Sequence, residues 1–486
     1  MDRKWGTLLA VCTATFMLLL DITIVNVALP AIQRSLKASF SDLQWVVDAY
    51  ALTLATFTLT AGSIADIYGR KRIFIIGIVL FTIASAACGA ANDPLFLIIA
   101  RGVQGLGGAI MFATALALLS QEFHGRERGT AFGIWGATIG AAVAIGPLAG
   151  GILTSLLSWR WIFFVNIPIG IGAVLLSMRQ LHESSDPEHG RIDPVGLVTL
   201  TGGLFSLILA LIEGNKHGWS SSYILGLFGA AAVLLTAFVI SQAVQKRSMI
   251  DLSLFGRPAF VGAQTTALAI SSSMFAMFLY LTLYMQNVLG LSPLETGVRF
   301  LPLSLVSFVA APLAGRLTAH VPIRFLLGFG LALTALALWL MSRVTVDSSW
   351  TVLLPGFLIG GVGIGFVNAP LATTAVSTVQ RERAGMASGI NNTFRQLGIA
   401  TGIAALGAIF TSRIDSHLHG VPHQVAVAVS SGRVGHSEAA RSAFVLGLSD
   451  ILVAGAVVAA IGAVLALALV RPQDFVASAP APAGSR

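Results

Sequence analysis

Long, nearly uninterrupted apolar stretches leave this sequence few places to fold. A helix that crosses a bilayer needs about 20 mostly apolar residues. Fourteen stretches of that kind lie between residues 8 and 470, among them 8–29, 45–65, 95–119, 130–155, 386–410 and 447–470. Composition agrees: 56% of residues are hydrophobic and only 10% charged, against roughly 25% charged in soluble domains. One water-soluble core cannot hide that much apolar surface. The chain reads as an all-α polytopic membrane protein with 14 transmembrane helices. That excludes a cytosolic enzyme, a secreted protein and a nucleic-acid binder. The formal charge of +8 is spread among short loops, as basic loops on one side of a membrane would give. Two cysteines, Cys12 and Cys88, both fall in apolar stretches, so no disulfide framework or metal-ligand spacing is present.

The first stretch follows Arg3 and Lys4, as a secretory leader would. No small-residue cleavage site follows it and it contains Asp21, so it reads as a helix. An even number of spans puts both termini on one side. With the N-terminus inside, the inner loops hold Arg70, Lys71, Arg72, Arg126, Arg128, Lys246 and Arg247 and more than twice the basic residues of the outer loops. This bias predicts N-in, C-in. Trp5, Trp45, Trp159, Trp161, Trp219 and Trp350 fall near span ends, where indole rings favour the interface.

A weak internal echo divides the chain. AGSIADIYGRKRIFIIG (61–77) follows the second span, and AGRLTAHVPIRFLLG (314–328) occupies the matching place later. Paired six-helix halves with substrate between them are common among secondary transporters. The expected division is a first half over 1–179, a two-helix insert over 180–258, a second half over 259–471 and a tail over 472–486.

Ionisable side chains deep in a span are expensive and mark function by default. Asp21 lies eight residues from the end of its stretch, about 12 Å deep at 1.5 Å per residue. Arg101 lies at a similar depth in the fourth span. Burial favours a neutral acid and a neighbouring cation favours the carboxylate, so a change of surroundings can load or unload a proton. A permanent Asp–Arg pair, or a carboxylate bonded to hydroxyls such as Thr23, is the structural alternative. Asp48 is suited to attract cationic substrates at an outer vestibule, or is a solvated interfacial acid. Asn391, Asn392, Arg395 and Gln396 form a polar cluster that must face protein or water. It either shapes a cavity or locks helices together. Asn26, Asp48, Gln104, Asn391 and Arg395 are the expected substrate-cavity residues.

The glycine-rich runs RGVQGLGGA (101–109) and GGVGIGF (360–366) lie inside apolar spans without the strand that a phosphate loop follows. Their small residues let helices approach closely. No Walker lysine motif occurs, so no cofactor is expected and an ion gradient is the remaining energy source.

LDITIVNVALP (20–30), GSIADIYGRKR (62–72), RGVQGLGGA (101–109) and GATIGAAVAIGPLAGG (136–151) succeed one another along the chain. So do WRWIFFVNIPIG (159–170), YMQNVLGLSPLETG (284–297) and RAGMASGINNTFRQLG (383–398). Together they resemble the major facilitator superfamily, and within it the 14-helix drug/proton antiporters of the EmrB/QacA type. The resemblance implies proton coupling by Asp21 and Arg101. It implies a conformational latch at Gly62, Asp66, Gly69 and Arg70. It also implies an antiporter motif on the fifth helix at Gly136, Gly140, Gly146, Pro147, Gly150 and Gly151. The second-half echo carries Ala319 where the first has Asp66, which puts a symmetric latch in doubt. The expected function is proton-coupled efflux of amphipathic or cationic drugs by alternating access, in a monomer of the bacterial plasma membrane. The alternative is a narrow-cargo exporter of an endogenous antibiotic, siderophore or metabolite. An enzyme or receptor would need paired carboxylates, a triad or a long soluble domain, and the sequence carries none.

Overall fold

The computed structural model describes residues 3–38, 40–123, 125–185, 193–245, 250–380, 384–418, 429 and 437–471. Among them helices follow one another and no strand occurs. The first six are α1 (Arg3–Leu36), α2 (Phe40–Tyr68), α3 (Arg70–Ala90), α4 (Pro94–Glu122), α5 (Gly125–Leu156) and α6 (Trp161–Gln180, interrupted at Val165). Then come α7 (Pro194–His217) and α8 (Ser222–Val244). The last six are α9 (Pro258–Val288), α10 (Pro293–Leu317), α11 (Ile323–Met341), α12 (Leu354–Ser377), α13 (Ala384–His417) and α14 (Glu438–Leu469). Thirteen of these runs are long and apolar enough to cross a membrane. The fourteenth stretch, 130–155, lies in α5, a 32-residue helix with several side chains outside the described residues.

Helix starts are written in short polar signals. Asp93 accepts a hydrogen bond from the Phe96 N–H at 2.9 Å, just before Pro94 opens α4. Ser292 and Glu295 form a reciprocal capping box on α10. Gly69 turns the chain between α2 and α3 with φ +105, a conformation that strains any side-chain-bearing residue. The Glu183 carboxylate accepts from the Lys71 and Arg72 N–H groups at 3.0 and 3.1 Å, closing the start of α3 from a distant part of the chain.

α1–α6 share a core around Leu18, Phe74, Phe112 and Trp135, and α9–α14 share another around Met277, Phe300, Leu338 and Phe444. The two groups meet chiefly where α5 lies along α10. Backbone touches backbone at Gly129 and Gly315, and Gly133 faces Pro312. A second seam brings Gly389 of α13 onto Leu59 of α2. The inserted α7 touches both groups. Thr201 shares a 3.0 Å hydrogen bond with Thr60 of α2, and Asn215 donates to the Ala404 carbonyl of α13 at 3.1 Å. α8 stands outside, with Val233 and Val244 69% and 79% exposed, as a lipid-facing helix should be.

α1 continues to Leu36, past the apolar stretch that ends at residue 29, and its last turns pack on the protein through Ile32 and Leu36. α13 reaches His417 and α14 starts at Glu438, so both helices extend beyond the apolar stretches 386–410 and 447–470. Glu213, near the end of α7, is 5% exposed and lies 2.8 Å from His217, one turn on. The tail 472–486 lies outside the described residues.

Candidate functional site

α1 and α4 bring Asp21 and Arg101 into direct contact. Arg101 Nη1 lies 2.5 Å from Asp21 Oδ2 and 2.8 Å from Gln104 Oε1. Gln104 Nε2 donates to Asp21 Oδ1 at 2.9 Å, and Asn166 Nδ2 of α6 donates to the same oxygen at 3.0 Å. Asn166 also donates to Ser85 on α3, whose hydroxyl donates to the Phe163 carbonyl. Arg101 Nε donates to the Val46 carbonyl of α2, and its guanidinium lies 4.2 Å from the centre of the Tyr50 ring. Asp21 is fully buried, with Arg101 at 1% and Gln104 and Asn166 at 0% exposure.

Five helices therefore seal one carboxylate behind three side-chain donors. A buried ion pair rarely adds stability over an apolar pair, but removing one partner costs roughly 3–5 kcal/mol because the other charge is stranded. The arrangement is thus costly to break and responsive to a proton, since a neutral acid no longer balances Arg101. Thr23 does not join it; its hydroxyl donates to the Leu19 and Leu20 carbonyls of its own helix. Gln104, expected in the substrate cavity, belongs to this network instead, because both ends of its amide are taken by Asp21 and Arg101. Asn166, Ser85 and Tyr50 were not among the expected residues. Each is a lone polar group in an apolar stretch, and such groups must find partners inside the bundle.

A second acid lies at the other end of α2. Asp66 Oδ1 accepts from Arg70 Nε and Nη2, both at 2.8 Å. Its other oxygen accepts from the Met386 N–H at 2.7 Å. Met386 is in the first turn of α13, where unpaired N–H groups and the helix dipole favour an anion. Asp66 and Arg70 are each 2% exposed. This carboxylate thus joins the two helical groups, and Gly69 leaves room beside it for the Glu183 carboxyl. Gly62 is buried on the same helix.

The glycines of α5 face different neighbours. Gly136 and Gly140 open toward Asn368 and Ser307 of the second group, and Gly151 toward Leu294. Gly146 turns instead to Thr23 of α1, so close that an added Cβ would collide. Gly150 is buried. The Pro147 side chain lies outside the described residues, and α5 runs unbroken through it.

The remaining cavity residues are scattered. Asn391 donates to Gln264 at 3.3 Å, and Asn392 crosses between the groups to the Phe112 carbonyl at 3.0 Å. Arg395 Nη2 donates to Asn368 Oδ1 at 2.9 Å. Asp48 is half-buried on α2. The Asn26 side chain lies outside the described residues. Asn368 lines a small cavity with Ile139, Gly140, Phe278, Leu303, Ser304, Ser307 and Ile364, between α5 and α9, α10 and α12.

Residues 11–403 match the family model described as Major Facilitator Superfamily. The chain belongs to that superfamily. Curated relatives of this member include the multidrug resistance protein Stp of Mycobacterium tuberculosis (strain CDC 1551 / Oshkosh). It is 37% identical over 418 residues, covering 86% of this chain and 77% of that one. The tetracenomycin C resistance and export protein of Streptomyces glaucescens is 34% identical, covering 85% and 77%. The puromycin resistance protein pur8 of Streptomyces alboniger is 34% identical, covering 92% and 89%. Among solved structures, the human organic anion transporter MFSD10 superposes with a TM-score of 0.63 at 13% identity, covering 94% of this chain and all of that one. The proton:xylose symporter XylE gives 0.64 at 12% identity, covering 94% and 95%. At such identities the likeness is one of fold. This major facilitator chain is a multi-pass membrane protein.

Proposed function

We propose that this chain exports amphipathic drugs or antibiotics from the bacterial cytoplasm in exchange for protons. The observation that carries the coupling is the sealed Asp21–Arg101–Gln104–Asn166 network. Protonating Asp21 removes the charge that five helices are arranged around, which frees α1, α4 and α6 to reset against one another. The Asp66–Met386 bond holds α2 against α13 at what the charge bias makes the cytoplasmic end. Alternating access requires that bond to break and re-form. Relatives named for multidrug resistance and for antibiotic export support the cargo class. A narrow cargo is the second reading, favoured by relatives each named for one antibiotic.

The test is drug-induced collapse of a pH gradient in energised inverted membrane vesicles. Wild type is expected to respond. Asp21→Asn is expected to lose the response by roughly 10²-fold, the scale of a lost proton-transfer group. Asp21→Glu, which keeps a titratable acid, is expected to restore part of it. A wild-type response in Asp21→Asn sinks the assignment. Response to one compound out of a broad panel favours the narrow-cargo reading.

A further inference from the structure

Three arginines are buried among the described residues: Arg70, Arg101 and Arg395. The first two hold carboxylates, Asp66 and Asp21. Arg395 is 6% exposed and its side-chain partner is the neutral amide of Asn368. No described carboxylate forms an ion pair with it, and its Nε has no acceptor. A buried cation without a counter-charge is expensive in a membrane bundle, and such residues mark ligand or ion pathways.

The surroundings are unfinished in the same way. Asn368 Nδ2 and the hydroxyls of Ser304 and Ser307 are buried without a hydrogen-bond partner. All three residues line the central cavity, and Gly136 and Gly140 of α5 leave space on its far side. In this state the cavity is about 10 Å³, room for about one water. A drug-sized guest therefore enters only when α5 parts from α10 and α12. The walls supply Phe278, Leu303, Ile139 and Ile364 for an apolar body. The polar atoms left over on the walls can all donate, and the fork-shaped cation of Arg395 lies one hydrogen bond behind Asn368.

We infer that this cavity binds an organic anion, a carboxylate or phenolate carried on an aromatic or apolar body, with Arg395 as its counter-charge. The inference rests on the export reading and narrows its cargo, reversing the sequence-based expectation of cations. The planar guanidinium matches a carboxylate bidentately, which a lysine does not. Arg395 stands directly behind the wall, one hydrogen bond from Asn368, and Asn368, Ser304 and Ser307 supply donors from the wall itself.

The test is equilibrium dye binding to the purified full-length protein, read by fluorescence anisotropy, with fluorescein as the anionic xanthene and rhodamine 6G as the cationic one. Wild type is expected to bind fluorescein at least about tenfold tighter than rhodamine 6G, the scale of one charge-assisted hydrogen bond. Arg395→Gln is expected to abolish that preference, and Arg395→Lys to recover part of it. Equal or tighter rhodamine 6G binding by wild type overturns the inference, whether or not the variants fold. So does full fluorescein affinity in a folded Arg395→Gln protein. Fluorescein binding that depends on Arg395 without gradient-driven transport upholds the site and instead sinks the antiport reading.

Discussion

Asp21 is held by charge and by geometry together. Its partner Arg101 spends one edge on the carboxylate, one on the Val46 carbonyl, and its flat face on Tyr50. A lysine would keep the charge and lose the fork and the stack. Arg101→Lys is therefore predicted to leave protein abundance near wild type while slowing proton-linked export by roughly tenfold, the loss of one charge-assisted bond. Paired transport and immunoblot measurements check this. Much of the site was legible at this scale. Asp21 and Arg101 stand out because charges in apolar stretches are rare. Gln104 was legible as polar but not in its role, because spacing along α4 puts it near Arg101 without saying which side it faces. Asn166 was invisible for a different reason: its partner lies 145 positions away, and only folding makes them neighbours.

At the scale of elements, α7 binds the two halves from the side. Its start is fixed by Asp193, whose carboxylate accepts from the Gly196 N–H at 2.8 Å and from Gln242 and Gln245 of the α8 end. Partial burial opposes the charge on Asp193, but those bonds outweigh it and hold the carboxyl below its ordinary value of 3.8. A lowered folded-state value means stability that is present above the unfolded value and lost as pH falls through the folded one. Asp193→Ala is predicted to destabilise the protein by about 1 kcal/mol near neutral pH, as for a lost helix cap. The gap between the two proteins is predicted to start narrowing as pH falls below about 3.8 and to close only below the lower folded-state value. Thermal unfolding in detergent across that range reads it, and a gap that persists at low pH contradicts the capping account. The all-helical architecture was legible because each apolar stretch is long enough to be its own signal. The bridging position of α7 was not, because Thr60, Thr201 and Asn215 carry no periodic pattern that points across the bundle.

Across the whole molecule, two acids on opposite parts of α2's surroundings do different work. Asp21 is enclosed within one half, whereas Asp66 reaches across to the other through the Met386 N–H. The echo over 314–328 carries Ala319 where the first stretch has Asp66, and its Gly315 meets Gly129 backbone to backbone. Asp66→Asn is predicted to loosen that end of the bundle. A cysteine reporter at Ser388, fully buried on α13, should then react with a membrane-impermeant maleimide from the cytoplasmic side several-fold faster. Unchanged labelling contradicts the latch.

The account stands on substrate and proton competing through the Asp21 network. The direct measurement is proton release when a transported drug binds purified protein in weakly buffered solution, followed with a pH indicator. Wild type is predicted to release about one proton or less per bound drug, and Asp21→Asn none, as linkage between the two sites requires. Equal release from both proteins, with drug binding intact, contradicts the account.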